Sequence, residues 1–368
     1  MKLAYDLRYA TDHFPGIGTH AWGLGRELAA RGVFEQLVML WDSSARNTRF
    51  DVDALRAHAG LRIQEMDVPA LSWRTASGTG RWLERLGTDA YLSPFWLRPE
   101  RTRVPCVLTV HDVLPLLPGW GGSWLRRWAF RWEMRRTAAA DAVLTSTRFS
   151  RDEILRHTGI RPERLHTAPL GIAAPGPARR RPAGAPEPPF ALLVGPGRPH
   201  KGHDTLASVW RALGCEPPLP LVAAGSRVPG HDALAEVAAE GGSVHALGAV
   251  TPDELEWLYA NATLVLIPSR YEGFGLPLLE AGARGAAVIA SDIPALREIG
   301  EGAARFVAVD DVAAWTRAVR ELAADPEARA RMGRAGRAQA AEYDYRQCAE
   351  RVEAVVRAVV ERRGPRPA

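Results

Sequence analysis

Residues 264–282 constrain the fold of this chain more than any other segment. Leu264 to Pro268 form a short apolar run, and Gly273-Phe274-Gly275 follow as a turn. Pro277 comes soon after that turn, at a position where proline favours the start of a helix. The segment therefore predicts a buried strand, a glycine loop and a helix N-terminus in close succession.

The same segment predicts a binding site for an elongated anion. Free N–H groups at a helix N-terminus beside a glycine loop attract anions. Glu272 lies in the loop and Glu280 in the first helical turn, so the two carboxylates are not stacked on one helix face. Carboxylates accept hydrogen bonds from vicinal hydroxyls, whereas backbone N–H groups bind phosphate. A sugar nucleotide fits this arrangement, and the alternative is an ordinary strand-turn-helix with two surface glutamates.

Length and cysteine usage restrict the class of protein. The chain has 368 residues, more than one hydrophobic core normally contains, so two domains are expected. No apolar run approaches the roughly 18 residues of a transmembrane helix. The N-terminus reads as a first strand rather than a signal peptide. Cys106, Cys215 and Cys348 are far apart and form no metal or disulfide pattern, so we expect a cytoplasmic protein.

The basic residues are almost all arginine. Of 47 lysines and arginines, only Lys2 and Lys201 are lysine, and Lys201 lies in a glycine-containing turn after an apolar run. Arg198 and Lys201 are three residues apart, and two cations at this spacing suit a diphosphate. The turn lacks the order of a nucleoside triphosphatase loop. The remaining charge is spread along the chain without a recognition motif, so no nucleic-acid partner is expected.

Strand and helix patterns alternate throughout, which predicts an α/β fold with parallel sheets. Residues 173–189 are rich in proline, glycine, alanine and arginine and have no periodicity, so we interpret them as an interdomain linker. This predicts an N-terminal domain over 1–172, a C-terminal domain over 190–345 and a terminal helix within 346–368.

Two segments of the N-terminal half carry ligand-binding patterns. The segment from Phe14 to His20 contains Gly16 and Gly18 and precedes a helical stretch that we expect to begin at Trp22. Small residues there allow backbone to approach a ligand, although the third glycine of a dinucleotide fingerprint is missing. His111 ends an apolar run, at the edge where open α/β sheets bind ligands. We expect the neighbouring Asp112 to order its loop through backbone hydrogen bonds.

A predicted helix from Trp124 to Arg136 carries tryptophans at i, i+4 and i+8 among many arginines. We favour the interpretation that the aromatic stripe packs in the core and the arginines are solvated. The alternative is weak contact with an anionic membrane surface or a lipid-phosphate acceptor, which would place the protein peripherally on the inner face of the membrane.

The motifs around Glu272, Lys201, His111 and Gly16, in this order and spacing from Asp6 to about Tyr345, resemble those of retaining glycosyltransferases of the GT-B fold, family 4, also called glycosyltransferase group 1. The resemblance implies two facing Rossmann-like domains with a cleft between them. It implies that the acceptor binds the N-terminal domain, that the nucleotide-sugar donor binds the C-terminal domain, and that the terminal helix packs back on the N-terminal domain.

The resemblance also implies an activity and a set of site residues. A sugar would move from a nucleotide-diphosphate sugar to a hydroxyl of a glycan, a lipid-linked sugar or a natural product, with no metal and no cofactor. The residues implied to act in catalysis are His111, Glu272, Lys201 and Arg198. The residues implied to bind the donor are Gly16, Gly18, Gly273, Phe274, Gly275, Leu276, Glu280, Leu247 and Val250, of which the last two would lie along the nucleobase.

Other functions stay open at this point. The same fold contains sugar-nucleotide epimerases and glycoside phosphorylases, so fold alone does not decide the reaction. A binding module without catalysis is a third class. A glycosidase would need two carboxylates across one bond, whereas Glu272 and Glu280 are predicted to lie along a donor.

Overall fold

The computed structural model describes residues 1–13, 15–70, 75–120, 122–177, 180–214, 216–226, 228, 230–231 and 233–364. Phe14, Cys215 and part of the predicted linker, residues 178–179, therefore lie outside the described residues. The chain divides into two compact units. The N-terminal unit comprises Met1–Ile172 and Asp344–Ala368, and the C-terminal unit comprises Ala173–Tyr343. Residues 173–189, predicted as the linker, belong to the C-terminal unit.

The N-terminal unit contains a parallel sheet of seven strands among the described residues, in the order β3-β2-β1-β4-β5-β6-β7. The strands are β1 Lys2–Asp6, β2 Gln36–Trp41, β3 Leu61–Glu65, β4 Ala90–Ser93, β5 Cys106–Thr109, β6 Ala142–Thr145 and β7 Leu165–Thr167. The helices that precede residue 172 are α1 Pro15–Arg31, α2 Thr75–Leu86, α3 Trp124–Thr137 and α4 Arg148–His157.

The C-terminal unit contains a parallel sheet of six described strands, in the order β10-β9-β8-β11-β12-β13. The strands are β8 Ala191–Val194, β9 Leu221–Ala224, β10 Val244–Gly248, β11 Leu264–Ile267, β12 Ala287–Ser291 and β13 Ala304–Val307. The helices are α5 His203–Leu213, α6 Ala233–Ala239, α7 Pro252–Asn261, α8 Leu276–Ala283, α9 Pro294–Gly300, α10 Val312–Ala324 and α11 Pro326–Ala341.

The last helix, α12 Tyr345–Arg363, belongs to the N-terminal unit and packs on α1. A Cβ atom on Gly23 would lie 2.0 Å from Cζ of Tyr345, so only glycine allows the two helices this approach. The Tyr345 hydroxyl donates to the carbonyl of Thr19 at 3.0 Å. Cys348 and Val356 complete the core on this side of the sheet.

The strand order reverses once in each sheet, and both reversals determine where ligand-binding loops can form. In the C-terminal unit, β8 lies between β9 and β11, so the loops that follow β8 and β11 diverge at the carboxyl edge. In the N-terminal unit, β1 lies between β2 and β4. Open α/β sheets bind ligands at such switch points. The loop after β8 contains Lys201, and the loop after β11 contains Glu272.

Helix α1 begins earlier than predicted. It starts at Pro15 rather than Trp22, so Gly16 and Gly18 lie in its first turn and not in a loop. Proline is well suited to the first helical position because its φ is already helical and its missing N–H has no intrahelical partner there. Thr19 Oγ1 donates to the Pro15 carbonyl at 2.8 Å within this turn.

The favoured interpretation of α3 was wrong, because its tryptophan stripe is not in the core. Trp124, Trp128 and Trp132 are exposed, whereas the buried positions of the helix are Phe130, Met134 and Thr137. A helix on the surface of a unit buries one stripe, and here the smaller apolar set occupies it. Among the described residues, no helix has the length and apolar character required to cross a bilayer.

Helices α8 and α11 cross with their backbones in contact, and this contact positions Glu280 on α8. A Cβ atom on Gly333 would lie 2.2 Å from the carbonyl oxygen of Gly285, and one on Gly336 would lie 2.9 Å from Cα of Gly282. Backbone atoms cannot move aside as a side chain can, so glycine is required on α11.

We expect Gly333→Ala to lower the free energy of unfolding by about 1–3 kcal/mol through overpacking, although alanine has the higher helix propensity. Urea unfolding measures the change. Gly159→Ala is the control, because an added Cβ there would meet no atom within 4 Å. Equal stability of Gly333→Ala and the wild type would show that the helices can separate without cost.

Candidate active site

The loop after β8 passes directly against the end of β11. Gly202 has φ +68°, and a Cβ atom on it would lie 2.1 Å from the carbonyl oxygen of Pro268. Only glycine fits this conformation and this approach. Lys201 ends the preceding 3₁₀ turn, Pro199–Lys201, so the glycine positions the lysine beside the loop that follows β11.

Lys201 and Glu272 form an ion pair at the switch point of this sheet. Lys201 Nζ donates to Glu272 Oε1 at 2.7 Å, and Ser269 Oγ donates to the same oxygen at 2.7 Å. The side chains are 19% and 10% exposed, so water screens the pair weakly. A lysine ammonium has three N–H donors, and Glu272 occupies one of them. Lys201 can therefore bind a second anion without leaving the carboxylate.

His200, beside Lys201, adds no positive charge to the site at neutral pH. Burial lowers its pKa to about 4, and the charge of Lys201 acts in the same direction. The cationic character of the turn therefore comes from Lys201 and Arg198.

Arg270 connects the two loops, and the sequence did not single it out. Its backbone N–H donates to the carbonyl of His200 at 2.8 Å, and Nη1 donates to the carbonyl of Pro199 at 2.8 Å. The guanidinium also donates to both carboxylate oxygens of Asp204, each at 2.8 Å, and to Asp310 at 2.7 Å. Of the 47 basic residues of the chain, two are lysine and 45 are arginine. No local sequence signal distinguishes Arg270 from the other arginines.

The carboxylates around Arg270 titrate as paired groups. Burial alone would raise the pKa of Asp204 and of Asp310, but the hydrogen bonds and charge of Arg270 outweigh it and hold both pKa values below the usual range. At neutral pH the three groups therefore form a charged clamp between the loop after β8 and the loop after β11.

Glu280 is oriented by a buried tyrosine. The Tyr259 hydroxyl donates to Glu280 Oε2 at 2.8 Å, and the tyrosine is 2% exposed. Burial raises the pKa of Tyr259, so the phenol stays protonated and donates. Glu280 is the fifth residue of α8 and lies in its second turn rather than the first, because the helix begins at Leu276. No feature of the sequence around Tyr259 indicated this contact.

The N-terminus of α8 has no side-chain cap. Gly275 precedes the helix with φ +110°, and a Cβ atom on it would lie 2.4 Å from Cδ2 of Leu296. Glycine is therefore required here, and within the described residues no side-chain hydrogen bond caps the helix, although the N–H of Leu278 donates to the carbonyl of Gly275 at 3.0 Å. This is the arrangement in which a helix N-terminus binds an anion. Gly273 and Phe274 immediately precede this N-cap, and Leu276 is the first residue of the helix.

Three further predicted site residues of the C-terminal unit, Arg198, Leu247 and Val250, are exposed or partly exposed. The side chain of Arg198 is exposed, whereas its backbone is held in the turn: its N–H donates to the carbonyl of Pro196 at 2.7 Å, and its carbonyl accepts the N–H of Lys201 at 2.8 Å. Leu247 lies near the end of β10 and Val250 before α7, both partly exposed. A cavity of about 30 Å³ near these strand ends is lined by other residues, among them His203 and Ser226.

His111 lies just beyond β5 in the N-terminal unit, partly buried. Its Nε2 is 2.9 Å from the carbonyl oxygen of Pro94. A carbonyl only accepts hydrogen bonds, so neutral His111 carries its proton on Nε2 and leaves Nδ1 as an acceptor. Asp112 Oδ1 accepts the N–H of Leu114 at 2.9 Å, which is the loop-ordering contact expected from the sequence.

His20 on α1 packs edge-on against His111, with ring centroids 5.7 Å apart and planes at 86°. It is 3% exposed, and within the described residues its Nδ1 has no hydrogen-bond partner. Burial, and then the neighbouring His111, lowers the pKa of His20 to about 3. Burial also lowers the pKa of His111, against the opposing effects of Pro94 and Asp112. Both imidazoles are therefore neutral at pH 7.

A buried ion pair orders the chain between β1 and α1. Arg8 Nη2 donates to Asp6 Oδ2 at 2.6 Å, and the Tyr91 hydroxyl donates to the same oxygen at 2.5 Å. Arg8 Nη1 donates to the carbonyl of Val68 at 2.9 Å. A buried pair is tolerated when further hydrogen bonds satisfy it in this way. It determines how the chain enters the turn that contains Gly16.

We expect Arg270→Met to destabilise the C-terminal unit by about 1–2 kcal/mol, a value reduced because Asp204 and Asp310 are half-exposed. Urea unfolding measures it. Arg211→Met is the matched control, since it removes an exposed arginine paired with Glu240 and should change stability little. If the two variants were equally stable, Arg270 would not link the loops.

We expect His20→Phe to reduce the loss of stability between pH 6.5 and pH 4. A histidine whose folded pKa is depressed stabilises the fold above its unfolded pKa, and lowering the pH removes up to about 1.4 kcal/mol per unit as the unfolded chain takes the proton. Unfolding free energies at several pH values test this. Identical slopes for variant and wild type would contradict a buried neutral His20.

Two family models match the chain in succession. Residues 15–174 match the Glycosyltransferase Family 4 model, and residues 177–339 match the model of Glycosyl transferases group 1. Glycogen synthase of Mycobacterium tuberculosis is 30% identical over 358 residues, which cover 88% of this chain and 86% of that protein. O-antigen chain mannosyltransferase B of Escherichia coli is 30% identical over 228 residues, 57% of this chain and 58% of that protein.

Solved structures share the architecture at low identity. Sucrose-phosphate synthase from Thermosynechococcus elongatus has a TM-score of 0.74 and 18% identity, covering 98% of this chain and all of that one. HepE of Anabaena, solved in complex with UDP-glucose, has a TM-score of 0.71 and 16% identity, covering 97% of this chain and all of that one. These likenesses show the GT-B fold. Together with the family matches, they show that the chain belongs to the group 1 glycosyltransferases, enzymes that transfer glycosyl groups.

Proposed function

We propose that this glycosyltransferase moves a sugar from a nucleotide-diphosphate sugar to a hydroxyl group, with retention at the anomeric carbon and without a metal ion. The observation that carries the proposal is the Lys201–Glu272 pair beside the uncapped N-terminus of α8. A similar fold in HepE, solved with UDP-glucose, supports a nucleotide sugar as donor.

Lys201 and the first turn of α8 would bind the diphosphate. As the bond between the anomeric carbon and the phosphate oxygen breaks, negative charge grows on the leaving diphosphate. The remaining N–H groups of Lys201 and the helix N-terminus stabilise that charge most in the transition state. Arg198, exposed on the same turn, adds a second cation when the donor binds. These groups supply the charge that a metal ion would otherwise provide.

The two glutamates would bind the two ends of the donor. Glu272 Oε1 already accepts from Lys201 and Ser269, and the carboxylate would accept hydroxyls of the transferred sugar through its other oxygen. Glu280, oriented by Tyr259, would accept the ribose hydroxyls. The N–H groups of Phe274 and Leu276, with the neighbouring Gly273 and Gly275, would contact the donor sugar. Leu247 and Val250 would make apolar contacts with the base.

His111 would be the contribution of the N-terminal unit to the donor sugar. Its Nδ1 is an acceptor, and the neutral ring adds no charge near a developing cationic anomeric carbon. Gly16 and Gly18, in the first turn of α1, would allow backbone to approach the diphosphate. The acceptor oxygen would attack the anomeric carbon on the face that the phosphate leaves, and its proton would pass to the departing phosphate oxygen.

We expect Lys201→Ala to lower kcat/KM about 10²–10³-fold, because a donor to the developing charge is lost. The assay incubates the protein with a panel of nucleotide sugars and hydroxyl acceptors and follows release of nucleoside diphosphate. Proton NMR of the product reports the anomeric configuration, which should match that of the donor. Arg211→Gln, an exposed arginine of α5, should react as the wild type does.

Unchanged turnover of intact donor by Lys201→Ala would contradict the phosphate role. A product of opposite configuration would contradict retention. Conversion of the donor without any acceptor would indicate an epimerase instead, and a strict need for inorganic phosphate would indicate a phosphorylase.

A further inference from the structure

Helix α3 exposes a set of large apolar side chains that are not among the candidate site residues. Trp124 is 72% exposed, Leu125 56%, Trp128 60% and Trp132 45%. Apolar side chains grouped on one surface mark an interaction site, whereas isolated ones do not. The three tryptophans follow one another at every fourth residue and therefore form one stripe along the helix.

A second stripe of arginines runs beside the tryptophans. Arg127, Arg131 and Arg135 repeat at the same spacing, each three residues after a tryptophan, which places them about 60° to one side on an α-helix. All three side chains are exposed. In the described part of the chain, none of them forms an ion pair with a carboxylate. We call these six side chains the tryptophan–arginine face.

The rest of α3 leaves this face apolar and positive. Phe130, Met134 and Thr137 are buried on the opposite side of the helix. Glu133, the one acidic residue of α3, is half-buried and pairs with Arg136 at 3.8 Å. Arg136 in turn pairs with Glu100 at 2.7 Å and packs over the Trp132 ring. No acidic side chain of α3 therefore neutralises the arginine stripe.

We propose that the tryptophan–arginine face docks the N-terminal unit on an anionic lipid surface. Indole rings favour the depth of lipid headgroups, where their apolar body and N–H are both satisfied. Guanidinium groups beside them bind lipid phosphates while their methylene chains lie along the apolar surface. Adjacent apolar and basic stripes on one helix are the pattern of a helix that lies in the membrane plane.

Charge complementarity favours lipid over a second copy of the chain. A symmetric dimer through this face would bring unpaired arginines against the same positive face of its partner. An anionic bilayer instead offers phosphates to the whole length of the stripe. The docking needs neither a donor nor an acceptor, so it can be tested independently of the proposed reaction.

The experiment is co-sedimentation of the full chain with lipid vesicles. We expect strong binding to phosphatidylcholine vesicles that contain phosphatidylglycerol and weak binding to phosphatidylcholine alone. Binding should decrease as salt is added, because the guanidinium–phosphate attraction is screened. This comparison uses the wild type only. Equal binding to both vesicles, or none to the anionic ones at low ionic strength, would overturn the proposal.

Substitutions in the tryptophan–arginine face test whether it is responsible for the lipid binding. Replacing the three stripe arginines with glutamine should lower the partition coefficient roughly 100-fold. Trp124→Ser with Trp128→Ser should weaken binding as well. The control is the triple variant Arg317→Gln, Arg320→Gln and Arg334→Gln, which removes the same charge from exposed positions of α10 and α11 and should bind like the wild type.

Wild-type binding by the arginine variant, or equal loss in the control variant, would overturn the assignment. Sedimentation equilibrium tests whether the same face instead binds a second copy of the chain. A dimer that dissociates on substitution of Trp124 and Trp128 would identify a second copy, rather than lipid, as the partner of this face. Circular dichroism confirms that each variant is folded, which is expected because all substituted side chains are exposed.

Discussion

The geometry of the C-terminal site depends on the guanidinium of Arg270. Lys201 and Glu272 are 71 residues apart in sequence and belong to loops that diverge at the carboxyl edge of the sheet. Arg270 donates to carbonyls of one loop while its own backbone belongs to the other. Folding therefore fixes the cation and the carboxylate relative to each other before any ligand binds. Charged groups that folding has already positioned do not have to be ordered during a reaction. Such preorganisation lowers the activation free energy.

The candidate site residues of the two units differ in their charge state. In the C-terminal unit the functional groups are charged and paired, and the uncapped end of α8 adds partial positive charge. In the N-terminal unit His20 is buried and His111 partly buried, and burial lowers the pKa of both imidazoles, so they are neutral at pH 7. Burial accounts for both the paired charges and the neutral imidazoles. A charged group with a close partner of opposite charge tolerates burial, whereas burial outweighs the other effects on His20 and His111 and lowers the pKa of both.

The sequence predicted those features that arise within one short segment. The strand, glycine turn and helix around Glu272 are encoded locally, because apolar runs, glycines and Pro277 each restrict their own backbone. The alternation of such segments identified the parallel α/β fold, and the family resemblance was confirmed. The start of α1 was missed because glycines argue against a helix, while Pro15 at the first position outweighs them.

Features that depend on packing between distant segments were not predictable. Helix α3 has two apolar stripes, and periodicity does not say which one meets the core. The structure buries Phe130 and Met134 and exposes the tryptophans. The Tyr259–Glu280 contact joins α7 to α8, and Arg270 is one arginine among many. In each case the partner lies far along the chain, so neither residue carries a local signal of the contact.

We proposed that the loops after β8 and β11 bind the diphosphate of a sugar nucleotide. Isothermal titration calorimetry with UDP, ADP and GDP, each compared with its nucleoside, measures this binding. At least one diphosphate should bind, and its nucleoside should bind about 10–100-fold more weakly, since each charge-assisted hydrogen bond to phosphate contributes about 1.5–3 kcal/mol. A nucleoside that binds as tightly as its diphosphate would contradict the claim.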